Sequence, residues 1–156
     1  MDEWLWMCSL PGFYRRDFGR LLQYFKEPWE IRAAGESQIR MLPFLNDKQK
    51  ETLLQQKKTD PKEIRYKLET KRIKFISCKE EQYPAKLLQM SDYPFGLFYL
   101  GELPLQDEKC VAIVGARMCT NYGRNIALQI AEELAEYGIS VVSGMAYGID
   151  GIAQSA

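Results

Sequence analysis

The sequence predicts an α/β protein in which a small all-helical domain precedes the beginning of a doubly wound parallel-sheet domain. Three observations carry that prediction. Up to about residue 70, apolar residues recur mostly three or four apart, the spacing of a helix face. From residue 73 onward they fall instead in short unbroken runs. The last part of the chain reads strand, turn, helix, strand, turn over about 34 residues, the length expected of a right-handed βαβ crossover. We therefore divide the chain into a helical part, 1–72, and an incomplete sheet domain, 73–156.

In the helical part, Leu5, Leu10, Phe13, Phe18, Leu21, Leu22, Phe25 and Trp29 mark helix faces turned into one small core. Pro11-Gly12 and Pro28 separate those helices. Residues 47–58 form a polar helix with Leu53 and Leu54 inward. Asp60-Pro61-Lys62-Glu63 opens another: Asp60 caps, Pro61 suits the first helical position, and Glu63 completes a capping box.

Residues 73–77 and 97–100 are strand candidates, and a short helix around 86–89 lies between Tyr83-Pro84 and Tyr93-Pro94. These two strands are candidates for the same sheet as the later ones. Val111-Ala112-Ile113-Val114 has no polar alternation and reads as a strand buried on both faces. Thr120 or Asn121 caps a helix running to Tyr137, ended by Gly138. Residues 139–142 give the next strand, and a further helix starts near Gly148.

Composition narrows the chemistry. The 156 residues include no histidine, which removes Ser-His-Asp and Cys-His catalysis and most transition-metal sites. Cys8, Cys78, Cys110 and Cys119 form no C-x-x-C pair, so they read as reduced thiols and not as zinc ligands. No apolar run approaches a membrane span, and the start Met1-Asp2-Glu3-Trp4 lacks the pattern of a signal peptide. A cytoplasmic protein without metal or cofactor is expected. The 21 basic and 21 acidic side chains balance. Residues 47–81 nevertheless carry eleven basic against seven acidic side chains, a pattern shared by phosphate-facing surfaces and by ordinary wet helix faces.

Two glycine-bearing turns follow the two last strands. Ligands of open parallel sheets collect at the carboxyl ends of the strands, where helix N-termini also point. Gly115 and Gly144 open backbone amides to an anion, Arg117 supplies a forked cation, and Thr120 and Ser143 supply hydroxyls. These five residues describe a phosphate-binding rim. The same glycines also suit any α/β turn, and Asp150 also suits a helix cap. There is no G-x-G-x-x-G, Ser143 stands where a dinucleotide fold places an acidic residue, and no P-loop is present. A phosphate-rich ligand other than NAD or ATP remains.

Val111-Ala112-Ile113-Val114-Gly115-Ala116-Arg117, then Thr120 and Tyr122-Gly123, then Ser143-Gly144-Met145-Ala146-Tyr147-Gly148-Ile149-Asp150 resemble the two leading motifs of the DNA-processing protein DprA (Smf) family. Tyr83-Pro84-Ala85-Lys86-Leu87 and the Leu97-Phe98-Tyr99-Leu100-Gly101 strand match the order of that family upstream. The resemblance implies a sterile-alpha-motif-like helical domain and an extended Rossmann-like domain that holds the sugar-phosphate backbone of single-stranded DNA. It implies recombination mediation, with loading of RecA recombinase during natural transformation, by a binding factor that is not an enzyme. Arg117 would be the principal phosphate contact, with Gly115, Thr120, Ser143 and Gly144 beside it.

The family usually has a histidine four residues after its Gly-Ile-Asp motif, and Gln154 stands there in this chain. A doubly wound sheet takes roughly five or six strands, so the chain is expected to be the leading fragment of the family's domain. The RecA contact and the homodimer surface are expected in the rest of the full-length protein. Two alternatives use the same residues differently. One is a nucleotide-binding enzyme of the phosphoribohydrolase type, which also sets arginine and glycine turns on a phosphate. The other is an independent helical interaction or DNA-binding module in residues 1–70, in which Leu10-Pro11-Gly12 before Arg15, Arg16 and Arg20 resembles a degenerate helix-hairpin-helix.

Overall fold

Six short helices occupy the first seventy residues of the computed structural model, which describes residues 2–104 and 108–156. They are α1 (Asp2–Cys8), α2 (Arg15–Phe25), α3 (Pro28–Ala33), α4 (Glu36–Arg40), α5 (Asp47–Gln56) and α6 (Pro61–Glu69). Their ends follow from local chemistry. Asn46 and Gln49 exchange side-chain bonds with each other's amides at 2.8 and 3.1 Å and start α5. Asp60 caps α6 through the Lys62 amide at 2.9 Å. That bond goes to the second helical residue, so the reciprocal box expected with Glu63 does not form. Buried Trp6, Met7, Leu21, Phe25, Ile31, Ile39 and Leu53 belong to one core. The Trp6 indole N–H is satisfied inside it by the Gln56 carbonyl at 2.9 Å. Trp29, expected inward, is exposed; Pro28 and Ile31 of the same short helix fill the core instead.

β1 (Lys74–Ser77) and β2 (Gly96–Tyr99) pair antiparallel with each other, with α7 (Ala85–Leu88) in the connection. They do not join the later strands. Phe75 lies opposite Phe98 with ring centroids 5.0 Å apart, and both strands pack against α1. A side chain at Gly96 would strike the Phe75 ring at 2.5 Å, so this pairing requires glycine there. Buried Tyr83 donates its hydroxyl to the Pro94 carbonyl at 2.6 Å and so ties the two Tyr-Pro elements together. By packing, the hairpin belongs with the helices. The chain divides into compact units Met1–Leu103 and Pro104–Ala156, whereas the change of sequence texture falls at 72–73.

The second unit contains β3 (Cys110–Ala112), α8 (Asn121–Glu136), β4 (Ser140–Val142) and α9 (Ile149–Ala153). β3 and β4 pair parallel, Val111 opposite Val141, which makes the βαβ crossover that the sequence predicts. Thr120 is the cap, its Oγ1 accepting the Gly123 amide at 3.1 Å. Gly138, at φ 66°, ends α8 in a Schellman arrangement: its amide bonds Ala135 O and the Ile139 amide bonds Leu134 O, each at 2.9 Å. Ala127 and Ala131 are buried, and α8 packs on β4 and α9. The strands are not buried on both faces: Val111 is 39% and Val142 51% exposed. Two strands with helices packed beside them have too little cover for their remaining apolar side chains. Among the described residues, no helix is long and apolar enough to cross a membrane.

Candidate nucleic-acid interface

The loop that leaves the carboxyl end of β3, residues 113–120, is locked by three hydrogen bonds to the loop that follows β4, residues 143–148, and to the start of α9. The Gly115 amide donates to Asp150 Oδ1 at 3.1 Å, the Ile149 amide to Ala116 O at 3.2 Å, and the Ser143 hydroxyl to Ile113 O at 2.6 Å. Packing tightens the lock. A Cβ at Gly115 would meet the Ile149 side chain at 2.8 Å, and one at Gly148 would lie 2.2 Å from the Ala116 carbonyl oxygen. Gly148 also sits at φ 89°, a conformation that L side chains rarely adopt. The parallel pairing of β3 and β4 sets these loops side by side, and the glycines let their backbones touch.

Placement changes the roles of the five predicted residues. The amide of Gly115 is occupied by Asp150, and the Ser143 hydroxyl proton is given to Ile113. Thr120 accepts from Gly123, and its own hydroxyl proton has no protein acceptor among the described residues. Gly144 is exposed, and its amide has no protein acceptor among the described residues; a Cβ there would sit 3.2 Å from Asp150 Oδ2. Arg117 is exposed and forms no side-chain hydrogen bond or ion pair among the described residues. The amides of Ala116, Arg117, Met118 and Cys119 likewise donate to no protein acceptor among the described residues.

Those open N–H groups lead directly into α8, a 16-residue helix whose partial positive end lies at the same loop. Arg124, exposed on its first turns, adds a second guanidinium beyond Arg117. Tyr122, in the first turn of α8, and Tyr147, in the second loop, have most of their surface in solvent. Chemically the rim offers backbone donors, guanidinium groups and flat aromatic faces, which suit a chain of phosphates bearing planar rings.

Sequence reasoning missed the part played by Asp150. It is buried, at the second position of α9, and its carboxylate holds the first loop instead of capping its own helix. The only sequence signal was an acidic residue in the first turn of a helix, which also describes an ordinary dipole interaction.

The family model described as DNA recombination-mediator protein A matches residues 74–156. The chain is 31% identical over 155 residues to Protein Smf of Escherichia coli, an alignment that covers 99% of this chain and 40% of that protein. It is 35% identical over 85 residues to the DNA processing protein DprA of Bacillus subtilis, covering 54% of this chain and 29% of the relative. The chain thus spans less than half the length of these relatives. The X-ray structure of DNA processing protein A from Streptococcus pneumoniae superposes with a TM-score of 0.66 at 22% identity. That match covers 99% of this chain and 53% of the solved one, and it shows a shared fold. The family match extends over more than half of the residues, including both loops, and the chain belongs to the DNA recombination-mediator protein A family.

Proposed function

We propose that this chain supplies part of a single-stranded-DNA-binding surface, in a recombination mediator that acts in DNA processing during natural transformation. The observation that carries this reading is the exposed Arg117, without an ion pair among the described residues, beside the amides of Ala116–Cys119, which find no protein acceptor among them. Phosphates along one strand would bond these groups and the Thr120 hydroxyl, while Gly144 leaves room for close approach. Gly115 and Ser143 serve the same surface indirectly, by fixing the two loops. Exposed Tyr122 and Tyr147 offer faces on which bases stack with little sequence preference. In the full-length protein the held strand is passed to RecA recombinase, and a homodimer presents two such surfaces. The protein is a cytoplasmic binding and loading factor and not an enzyme.

The test is titration of fluorescein-labelled oligothymidine with the 156-residue chain and with Arg117→Ala. The variant should bind about five- to tenfold more weakly, equally for oligothymidine and for a mixed sequence. Its salt dependence should fall by about 0.7 in log–log slope, one phosphate contact on a single strand. Unchanged affinity would remove Arg117 from the surface. Loss confined to one sequence would show base readout and overturn the backbone-holding mode.

A further inference from the structure

Helix α2 carries a second cationic and aromatic surface, separate in sequence from the loops of the second unit. Phe18, Leu21 and Phe25 bury one of its faces, so Arg16, Arg20 and Gln23, spaced four and three apart, share the opposite one. A groove of about 490 Å³ runs here, lined by Tyr14, Arg15, Arg16, Gly19, Arg20 and Asp92. Arg20 and Gln23 also line an adjoining hollow of about 400 Å³ with Tyr24 and Phe44. Three arginines face one aspartate in the groove, an excess of positive charge in a chain whose net charge is zero.

The three arginines are held differently. Arg15 is fixed: it donates to the carbonyls of Tyr93 and Ser91 at 3.3 and 3.2 Å, and its guanidinium lies 4.9 Å from the Phe95 ring centroid. Arg16 and Arg20 form no ion pair among the described residues, so their charges are available to a ligand. Asp17, the acidic neighbour on α2, is engaged by the Tyr14 amide at 3.0 Å. Gly19 forms part of the groove in mid-helix, where glycine costs about 1 kcal/mol relative to alanine. A Cβ at Gly19 would press on Arg15 Nη1 at 3.2 Å, so the glycine makes room for the fixed guanidinium. Tyr14 and Tyr24, 75% and 54% exposed, stand toward the two ends of the helix.

We infer that the α2 face is a second contact surface for single-stranded nucleic acid, with Arg16 and Arg20 on successive phosphates and Tyr14 and Tyr24 stacking on bases. Four residues of helix advance about 6 Å, a spacing comparable to that of neighbouring phosphates on an extended strand. Bare acidic protein segments would satisfy the arginines but leave the exposed ring surfaces of Tyr14 and Tyr24 uncovered. This inference takes its ligand class from the proposed function, but it needs neither Arg117 nor the loops.

The experiment compares the intact chain with Arg16→Ala/Arg20→Ala and with Arg117→Ala, using labelled oligothymidine and a polyglutamate of matched charge. The double variant should weaken oligothymidine binding about tenfold, and its salt slope should fall by about 1.4, two single-strand phosphates. Photocrosslinking of 5-iododeoxyuridine oligonucleotides should map to Tyr14 or Tyr24. Wild-type affinity in the double variant, with Arg117→Ala impaired, would overturn the α2 surface and leave the loop reading standing. Impairment of the double variant alone would support the α2 surface and remove the loops. Polyglutamate binding as tightly, with the same arginine dependence, would overturn the nucleic-acid assignment, as would absence of oligothymidine binding by the wild-type chain.

Discussion

Asp150 and Gly115, 35 residues apart in sequence, are joined by a 3.1 Å hydrogen bond from the Gly115 amide to the Asp150 carboxylate. The bond fixes where the first loop stands relative to α9, and it places a buried negative charge behind an exposed cationic rim. Asp150→Ala should remove the protection of the Gly115 amide in hydrogen exchange and cost about 2 kcal/mol of local stability. Asp150→Asn keeps an acceptor and should preserve most of that protection. Equal protection in all three proteins would show that the bond contributes nothing to the loop.

Gly148 and Gly138 both have positive φ, but different surroundings. At Gly148 a Cβ would collide with the Ala116 and Arg117 carbonyls at 2.2 and 2.5 Å; at Gly138 nothing lies within 4 Å. Gly148→Ala should therefore cost about 3 kcal/mol or more and disrupt the loop pair, since strain and collision add. Gly138→Ala should cost only the left-handed backbone penalty, about 1–2 kcal/mol. Urea unfolding followed in the second unit should separate the two, and similar losses would contradict the close approach of the loops.

Thr120 combines a cap with a hydroxyl proton that has no acceptor among the described residues. Thr120→Ala should destabilise α8 by about 1 kcal/mol, while Thr120→Ser should restore both the cap and oligonucleotide affinity. Circular dichroism on melting reads the first effect and titration the second. If Thr120→Ala melts lower but binds as wild type, the hydroxyl serves the helix alone.

Cys8 lies in the helical core, next to Gly96. Burial, and secondarily the neighbouring Cys78, pushes its thiol from 9.0 up to about 12. At pH 8 the folded thiol should react with iodoacetamide about a thousandfold more slowly than in the unfolded chain, because only the thiolate attacks. A folded-state value above the unfolded one means that the unfolded chain ionises first. The stabilisation is therefore complete below about pH 9 and lost as pH rises toward 12. Cys8→Ala should flatten that alkaline decline in a pH series of urea midpoints, and an unaltered decline would assign it to other groups.

The sequence by itself determined the local structure. Helix-period apolar spacing set the helical core, and Thr120 and Gly138 set both ends of α8, because caps act within a few residues. Unbroken apolar runs marked β3 and β4, whose parallel pairing follows from the crossover between them. Periodicity did not say which strands pair. Residues near 75 and 98 have the same texture as those near 111 and 141, yet β1 takes β2 as its partner, through Phe75 on Phe98 and the space left by Gly96. Nor could spacing show that the Gly115 amide and the Ser143 hydroxyl are spent inside the protein, while the amides of Ala116–Cys119 find no acceptor among the described residues. A side chain's type limits which bonds it can make. Only the tertiary structure decides which partner reaches it first, and here a buried carboxylate on α9 takes the donor that the turn alone would have offered to a ligand.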